Sequence, residues 1–89
     1  MAKLIKANGE IREVKPLNGK EFEIEEIQSL VGGYVEYVPA AKRGYVLAVN
    51  EDGKPIGLPF NSKATILAFI YADYIAGDAV YCKREEVDY

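Results

Sequence analysis

Residues 57–65 read GLPFNSKAT and lead an extended apolar segment directly into a helix. The side chains of Asn61 and Ser62 can accept hydrogen bonds from the free amides of the first helical turn. Pro55 and Pro59 cannot donate to a sheet ladder, so the segment Ile56 to Phe60 is either an edge strand or a partly extended loop. This stretch therefore fixes a strand-to-helix corner in the second half of the chain.

The composition is that of one folded domain, residues 1–89. Hydrophobic residues make up 49% of the chain and charged residues 28%, a balance typical of ordinary globular proteins. The formal net charge of -3 argues against a dedicated nucleic-acid binder, because affinity for phosphates comes mainly from clustered lysine and arginine.

The chain has a single cysteine, Cys82, so no intramolecular disulfide can form. Lys3 and Lys6 interrupt any apolar run at the start before it reaches the length of a signal peptide. The apolar segment around Ile66 to Ile75 is shorter than the ~20 residues that a membrane-spanning helix needs. We therefore expect a cytoplasmic protein without membrane contact.

Strands are predicted on both sides of the Asn8-Gly9 turn, over Lys3 to Ala7 and Ile11 to Lys15. We favour a three-residue loop that sets Ala7 opposite Ile11. Two further strands are predicted over Tyr34 to Val38 and Tyr45 to Val49, which are rich in β-branched and aromatic residues. The second of these has no polar residue, which indicates an interior strand with both faces covered.

Two helices are predicted. The first covers Glu23 to Val31, with an acidic first turn and with Gly32-Gly33 as its stop. The second covers about Ser62 to Ile75 and carries apolar side chains around most of its circumference. An 89-residue domain has little material to cover such a helix on every side, so we predict a homo-oligomer interface there.

With a last strand over Ala79 to Lys83, the predicted order is ββαβββαβ. This is an α+β fold with a small mixed sheet and, in the simplest arrangement, two helices packed on one face.

Four segments carry a family resemblance: Val31 to Glu36, Val49 to Lys54, Gly57 to Thr65, and Gly77 to Val80. Together they make nearly the whole chain similar to the small family catalogued as domain of unknown function 3846. The resemblance implies an origin in bacteriophages, mobile elements or their bacterial hosts. It implies no activity, cofactor or catalytic residue.

Several chemistries are excluded by residue type. With no histidine and one cysteine, neither a closed zinc site of Cys and His ligands nor a Ser-His or Cys-His nucleophile can be built in one chain. No glycine-rich phosphate loop is present. Asp73 with Asp78, or Glu51 with Asp52, could hold a hard cation, but turn formation explains both pairs more simply. We predict no catalytic residues, no metal and no cofactor.

Seven tyrosines give the chain a profile suited to interfaces and to planar ligands. The candidate binding residues are Tyr37, Lys42, Arg43, Tyr45 and Asn61, in which the cations would meet phosphate and the tyrosines would stack. The leading hypothesis is a non-enzymatic homo-oligomeric binding protein that acts on a host component or sequesters a small anionic, nucleotide-like ligand.

Two alternatives remain open. One is a nucleic-acid or transcription-associated accessory module that uses Lys42, Arg43 and the Lys83-Arg84 pair. The other is an enzyme with a carboxylate-bound metal at Asp52 or Asp78.

Overall fold

The computed structural model describes residues 2–68 and 74–87. Its centre is a five-stranded sheet formed by β1 (Ala2–Ile5), β2 (Ile11–Val14), β3 (Val35–Pro39), β4 (Tyr45–Asn50) and β5 (Ala79–Lys83). The strand order is β2-β1-β5-β4-β3, and every pairing is antiparallel, whereas a mixed sheet was predicted. The last strand in the chain thus joins the two hairpins by inserting between β1 and β4.

Helix α1 (Ile24–Val31) lies where it was predicted. At its start the Glu26 carboxylate accepts a hydrogen bond from the Glu23 amide at 2.6 Å, and Gly32 ends the helix in the left-handed conformation with φ 83°. Ile27 and Val31 are buried, so the amphipathic spacing gave the correct core-facing side.

Helix α2 (Ser62–Leu67) is much shorter than predicted. Ala68 is already extended and forms a bridge with Ala40, while the Leu67 carbonyl accepts a hydrogen bond from the Ala41 amide. Residues 69–73 of the predicted helix lie outside the described residues. Ile75 has returned beside the start of α2, where its carbonyl accepts from the Asn61 amide. Contacts with distant backbone, and not a local stop signal, end this helix.

The two helices pack on opposite faces of the sheet, which corrects the prediction of a single covered face. In β4, Val46 and Ala48 belong to the core beneath α1, whereas Leu47 and Val49 belong to the core beneath α2. Neighbouring side chains of a strand point to opposite faces. Residues 45–49 of the interior strand β4 are apolar on both faces and need cover on both, which one helix on each face supplies.

The α+β class and the order of elements are otherwise as predicted. The segment Ile56 to Phe60, left open as strand or loop, contributes a single bridge between Phe60 and Ala76 after a turn over residues 51–57.

The loop of the first hairpin has three residues, as predicted, since the Lys6 amide donates to the Glu10 carbonyl. It consists of residues 7–9, however, so Ile5 and not Ala7 lies opposite Ile11. The Ala7 amide donates instead to the Asp78 carboxylate, which removes Ala7 from the strand pairing.

Candidate functional site

The most distinctive polar and aromatic arrangement lies on the α2 face, where β4 begins and β5 ends. The rings of Tyr45 and Tyr81 stack with centroids 5.0 Å apart and planes 23° apart. The Lys42 ammonium lies 4.7 Å from the centroid of the Tyr45 ring. Both tyrosines are partly buried. The result is a continuous contact from a cation through two aromatic rings.

Strand register explains how these side chains meet. Tyr45 pairs with Lys83, and Tyr81 pairs with Leu47 on one side and with Lys3 on the other. Directly paired residues share a face, so Tyr45, Tyr81, Lys83 and Lys3 all project from the same side of the sheet. Glu13 pairs with Lys3 and ends the basic run at β2.

The turn that precedes β4 adds further positive charge. The Tyr45 amide donates to the Lys42 carbonyl at 3.2 Å, which closes this turn. The Arg84 amide donates to the Gly44 carbonyl at 3.0 Å, which fixes the end of β5 beside the turn. Two sequence-distant basic pairs, Lys42-Arg43 and Lys83-Arg84, are thereby placed at one end of the sheet.

We call these side chains the tyrosine–lysine surface. Its members are Lys3, Lys42, Arg43, Tyr45, Tyr81 and Lys83, and Arg84 follows Lys83 in the chain. Glu85 and Glu86 follow immediately and offset part of the positive charge, and the Glu86 carboxylate accepts a hydrogen bond from the Lys83 amide. Burial, together with the neighbouring Tyr45, raises the pKa of Tyr81, so its hydroxyl stays protonated and can donate a hydrogen bond at neutral pH.

Of the five candidate residues, the structure brings together Lys42, Arg43 and Tyr45. Tyr37 lies on the other face, because it pairs with Ala48 and packs against the core beneath α1. Asn61 is 1% exposed, and its side chain is fully engaged within the protein.

The Asn61 amide group donates to the carbonyls of Ile5 and Gly77 at 2.8 and 2.9 Å, and its oxygen accepts from the Ala64 amide at 3.0 Å. The predicted cap of α2 is thus confirmed, and the same side chain also ties β1 to the start of β5. Its hydrogen bonds face the interior and leave it no group directed at a ligand.

Tyr81 and Lys83 are absent from the five candidate binding residues, although Lys83 was named for the nucleic-acid alternative. Their alternation along Ala79 to Lys83 indicates a shared face, but only the position of β5 next to β4 puts that face beside Tyr45.

A cavity of about 280 Å³ lies on the α1 side, between the end of β2 and the helix. Val14, Leu17, Phe22 and Leu30 supply most of its wall, and the Glu26 carboxylate at its edge is used by the amides of Leu17 and Glu23. Lys15 and Ser29 complete the lining, so the cavity is mostly apolar and has a single basic residue.

The described residues, 2–68 and 74–87, contain no group of three or more His, Cys, Asp or Glu side chains placed to hold a metal ion. Burial, reinforced by Glu86, raises the pKa of the Cys82 thiol to about 12, so a thiolate nucleophile is not formed near neutral pH. Within those same ranges, no helix is long and apolar enough to cross a bilayer.

A family model described as a domain of unknown function, DUF3846, matches residues 4–89. No curated protein and no solved structure matches the chain.

Proposed function

The chain belongs to the DUF3846 family, and from that premise we propose that it is a non-enzymatic binding protein whose tyrosine–lysine surface takes a planar, negatively charged ligand of the nucleotide kind. In the phage or mobile-element setting that the family resemblance implies, it would act in the bacterial cytoplasm. There it would sequester such a ligand or occupy a host component that carries one.

One observation carries the proposal: the stack of Lys42, Tyr45 and Tyr81. Tyrosine rings bind planar groups through their faces, and a nearby ammonium adds attraction both to the ring and to a phosphate. Lys83, opposite Tyr45, supplies a second cation at the same place. A ligand with a ring and a phosphate matches this combination better than either group alone.

A thermal-shift panel tests the ligand class. The protein is mixed with cyclic nucleotides, ADP-ribose-type nucleotides and simple mononucleotides, and the unfolding midpoint is recorded. A ligand at ~100 times its Kd adds ~2.7 kcal/mol of stability, which is readily seen in a small domain. No shift with any member of the panel would remove the small-ligand version of the proposal.

Variants locate the site. Lys42→Ala and Tyr45→Leu are expected to reduce the ligand-induced shift, because one removes the cation and the other the stacking ring. Lys20→Ala is the matched control, since Lys20 is an exposed lysine in the turn before α1. If Lys20→Ala reduced the ligand-induced shift as much as Lys42→Ala does, the effect would come from the overall charge of the protein, and the assigned site would be wrong.

We also propose self-association through the surface around α2. Helix α2 has only six residues, so it does not present the long apolar circumference on which the predicted interface rested. Support now comes from exposed apolar side chains: Ile66 is 78% exposed and Phe60 is 56% exposed. Phe60 also touches Tyr74, with ring centroids 6.0 Å apart, which enlarges the apolar area.

Sedimentation velocity tests the self-association. Ile66→Asp is expected to convert an oligomer into a monomer, because it places charge within the apolar area. Leu17→Asp is the control, since Leu17 is 91% exposed but lies on the α1 side. A wild-type protein that stays monomeric at high concentration would end this part of the proposal.

A further inference from the structure

We infer that the ligand of the tyrosine–lysine surface is single-stranded nucleic acid, an inference that rests on the proposed function and narrows it to one substrate class. Three features of the described residues carry it: the number of cations, the width of the surface, and the stacked pair of partly buried tyrosine rings on the sheet.

The number of cations exceeds what one phosphate needs. Lys42 and Arg43 lie in one turn and Lys83 at the end of the adjacent strand, and the hydrogen bond from the Arg84 amide to the Gly44 carbonyl holds the strand end beside the turn. A single phosphate is satisfied by one or two such groups. These three basic residues, together with Lys3 on the same face, match a chain of phosphates.

The surface is also wider than one stacking site. Lys3 on β1 pairs with Tyr81 on β5, and β5 pairs in turn with β4, which carries Tyr45. Two spacings between neighbouring strands amount to ~10 Å. Cations and rings are thus distributed across three strands, as a ligand with several bases and phosphates requires.

A single strand fits better than a duplex. The bases of a duplex are stacked on each other and cannot present their faces to tyrosine, whereas unpaired bases can stack on a sheet surface without regard to sequence. Binding through charge alone is weak for a chain of net charge -3, in which Glu85 and Glu86 lie beside the basic cluster. Stacking therefore has to supply part of the affinity.

Fluorescence anisotropy with labelled oligothymidylate and oligouridylate of graded length, at low salt, is the test. Binding is expected to tighten at least ~10-fold between a mononucleotide and a strand of about eight nucleotides, because added bases and phosphates reach added rings and cations. With about three phosphates neutralised, log Kd should rise with log salt concentration with a slope of ~2.

Exposed charge variants leave the core intact. Lys42→Gln and Lys83→Gln should each weaken binding and lower the salt slope by ~0.7, whereas Lys20→Gln should change neither. Tyr45→Leu should weaken binding with no change in slope, because it removes a ring and not a charge. Circular dichroism of each variant checks that it is folded.

The outcomes separate the two levels of the proposal. A mononucleotide that binds as tightly as the longer strand would overturn the inference and leave the proposed function standing. A duplex that binds as well as the single strand would also overturn it, since the rings would then play no part. Absence of binding by mononucleotide, DNA and RNA alike at low salt would defeat both.

Discussion

Replacement of Asn61 is the sharpest test of how this fold is held together. Its buried side chain makes three hydrogen bonds, two as a donor to the carbonyls of Ile5 and Gly77 and one as an acceptor from the Ala64 amide. A hydrogen bond contributes ~1 kcal/mol net, and a buried partner left without one costs ~1 to 3 kcal/mol. Asn61→Ala should therefore lower the free energy of unfolding by ~3 to 5 kcal/mol.

That loss is large for a domain of this size. At ~0.05 to 0.15 kcal/mol per residue, the whole chain is stable by ~4 to 13 kcal/mol. Urea unfolding followed by circular dichroism measures the change. If the free energy of unfolding falls by ~1 kcal/mol per molar urea, as in a small protein, the urea midpoint should fall by about 3 M or more. If the wild-type stability is near ~4 kcal/mol, the variant would be unfolded even without urea.

Asn61→Asp separates the two roles of the side chain. Aspartate caps helices as well as asparagine does, so the bond from the Ala64 amide would survive. Its second oxygen, however, would face the carbonyls of Ile5 and Gly77, to which it cannot donate. We expect Asn61→Asp to cost at least as much stability as Asn61→Ala at neutral pH.

The control for both variants is Ser62→Ala. Ser62 was the other possible cap from the sequence, but it is exposed, and the Ala64 amide is bound by Asn61. Its replacement should stay within about 0.5 kcal/mol of wild type. If Asn61→Asp proved as stable as wild type, the side chain would be a cap alone, and the reasoning about the tie between β1 and β5 would be wrong.

Three further predictions can be checked by the same urea titration. Thr65→Val should cost about 1 to 2 kcal/mol of stability, because the Thr65 hydroxyl donates to the Asn61 carbonyl and accepts from the Ile75 amide. An effect near zero would contradict a contribution of these two hydrogen bonds. Asp78→Ala should cost about 1 kcal/mol of stability, because the Asp78 carboxylate accepts a hydrogen bond from the Ala7 amide. Asp78→Asn should cost less than about half of that, since the side-chain oxygen of asparagine can accept the same bond. Equal costs for the two variants would contradict this contact. Stability should also fall as pH rises above about 9, since the Cys82 thiol then ionises in the unfolded chain, whereas in the folded protein its pKa is raised to about 12 and it keeps its proton. Cys82→Ala should lack this part of the pH dependence of stability. Identical pH profiles of stability for the variant and the wild type would refute the prediction.

Within the site, contacts between residues close in the chain were predictable, and contacts between residues of different strands were not. Lys42 and Tyr45 are three residues apart and close in space through one turn, so proximity along the chain was enough to group them. Tyr37 was predicted to belong with them, but it lies on the neighbouring strand β3. There it pairs with Ala48 and not with a residue of the Tyr45 face, so it points to the α1 face. Tyr81 is distant in sequence and was found only through the pairing of β4 with β5.

Features that depend on a few neighbouring residues were predictable from the amino-acid sequence. These are the bounds of α1, the cap at Asn61, the interior position of the apolar strand β4, and the absence of histidine-dependent chemistry. Each follows from local hydrogen bonding, from side-chain periodicity or from residue type.

Three features depend on the folded chain as a whole: the insertion of β5 between the hairpins, the placement of one helix on each face, and the end of α2 at Leu67. These choices are made by burial and by backbone hydrogen bonds between segments far apart in the chain. No local pattern encodes which distant segment supplies them, and for that reason the stacking of Tyr81 on Tyr45 became visible only in the folded protein.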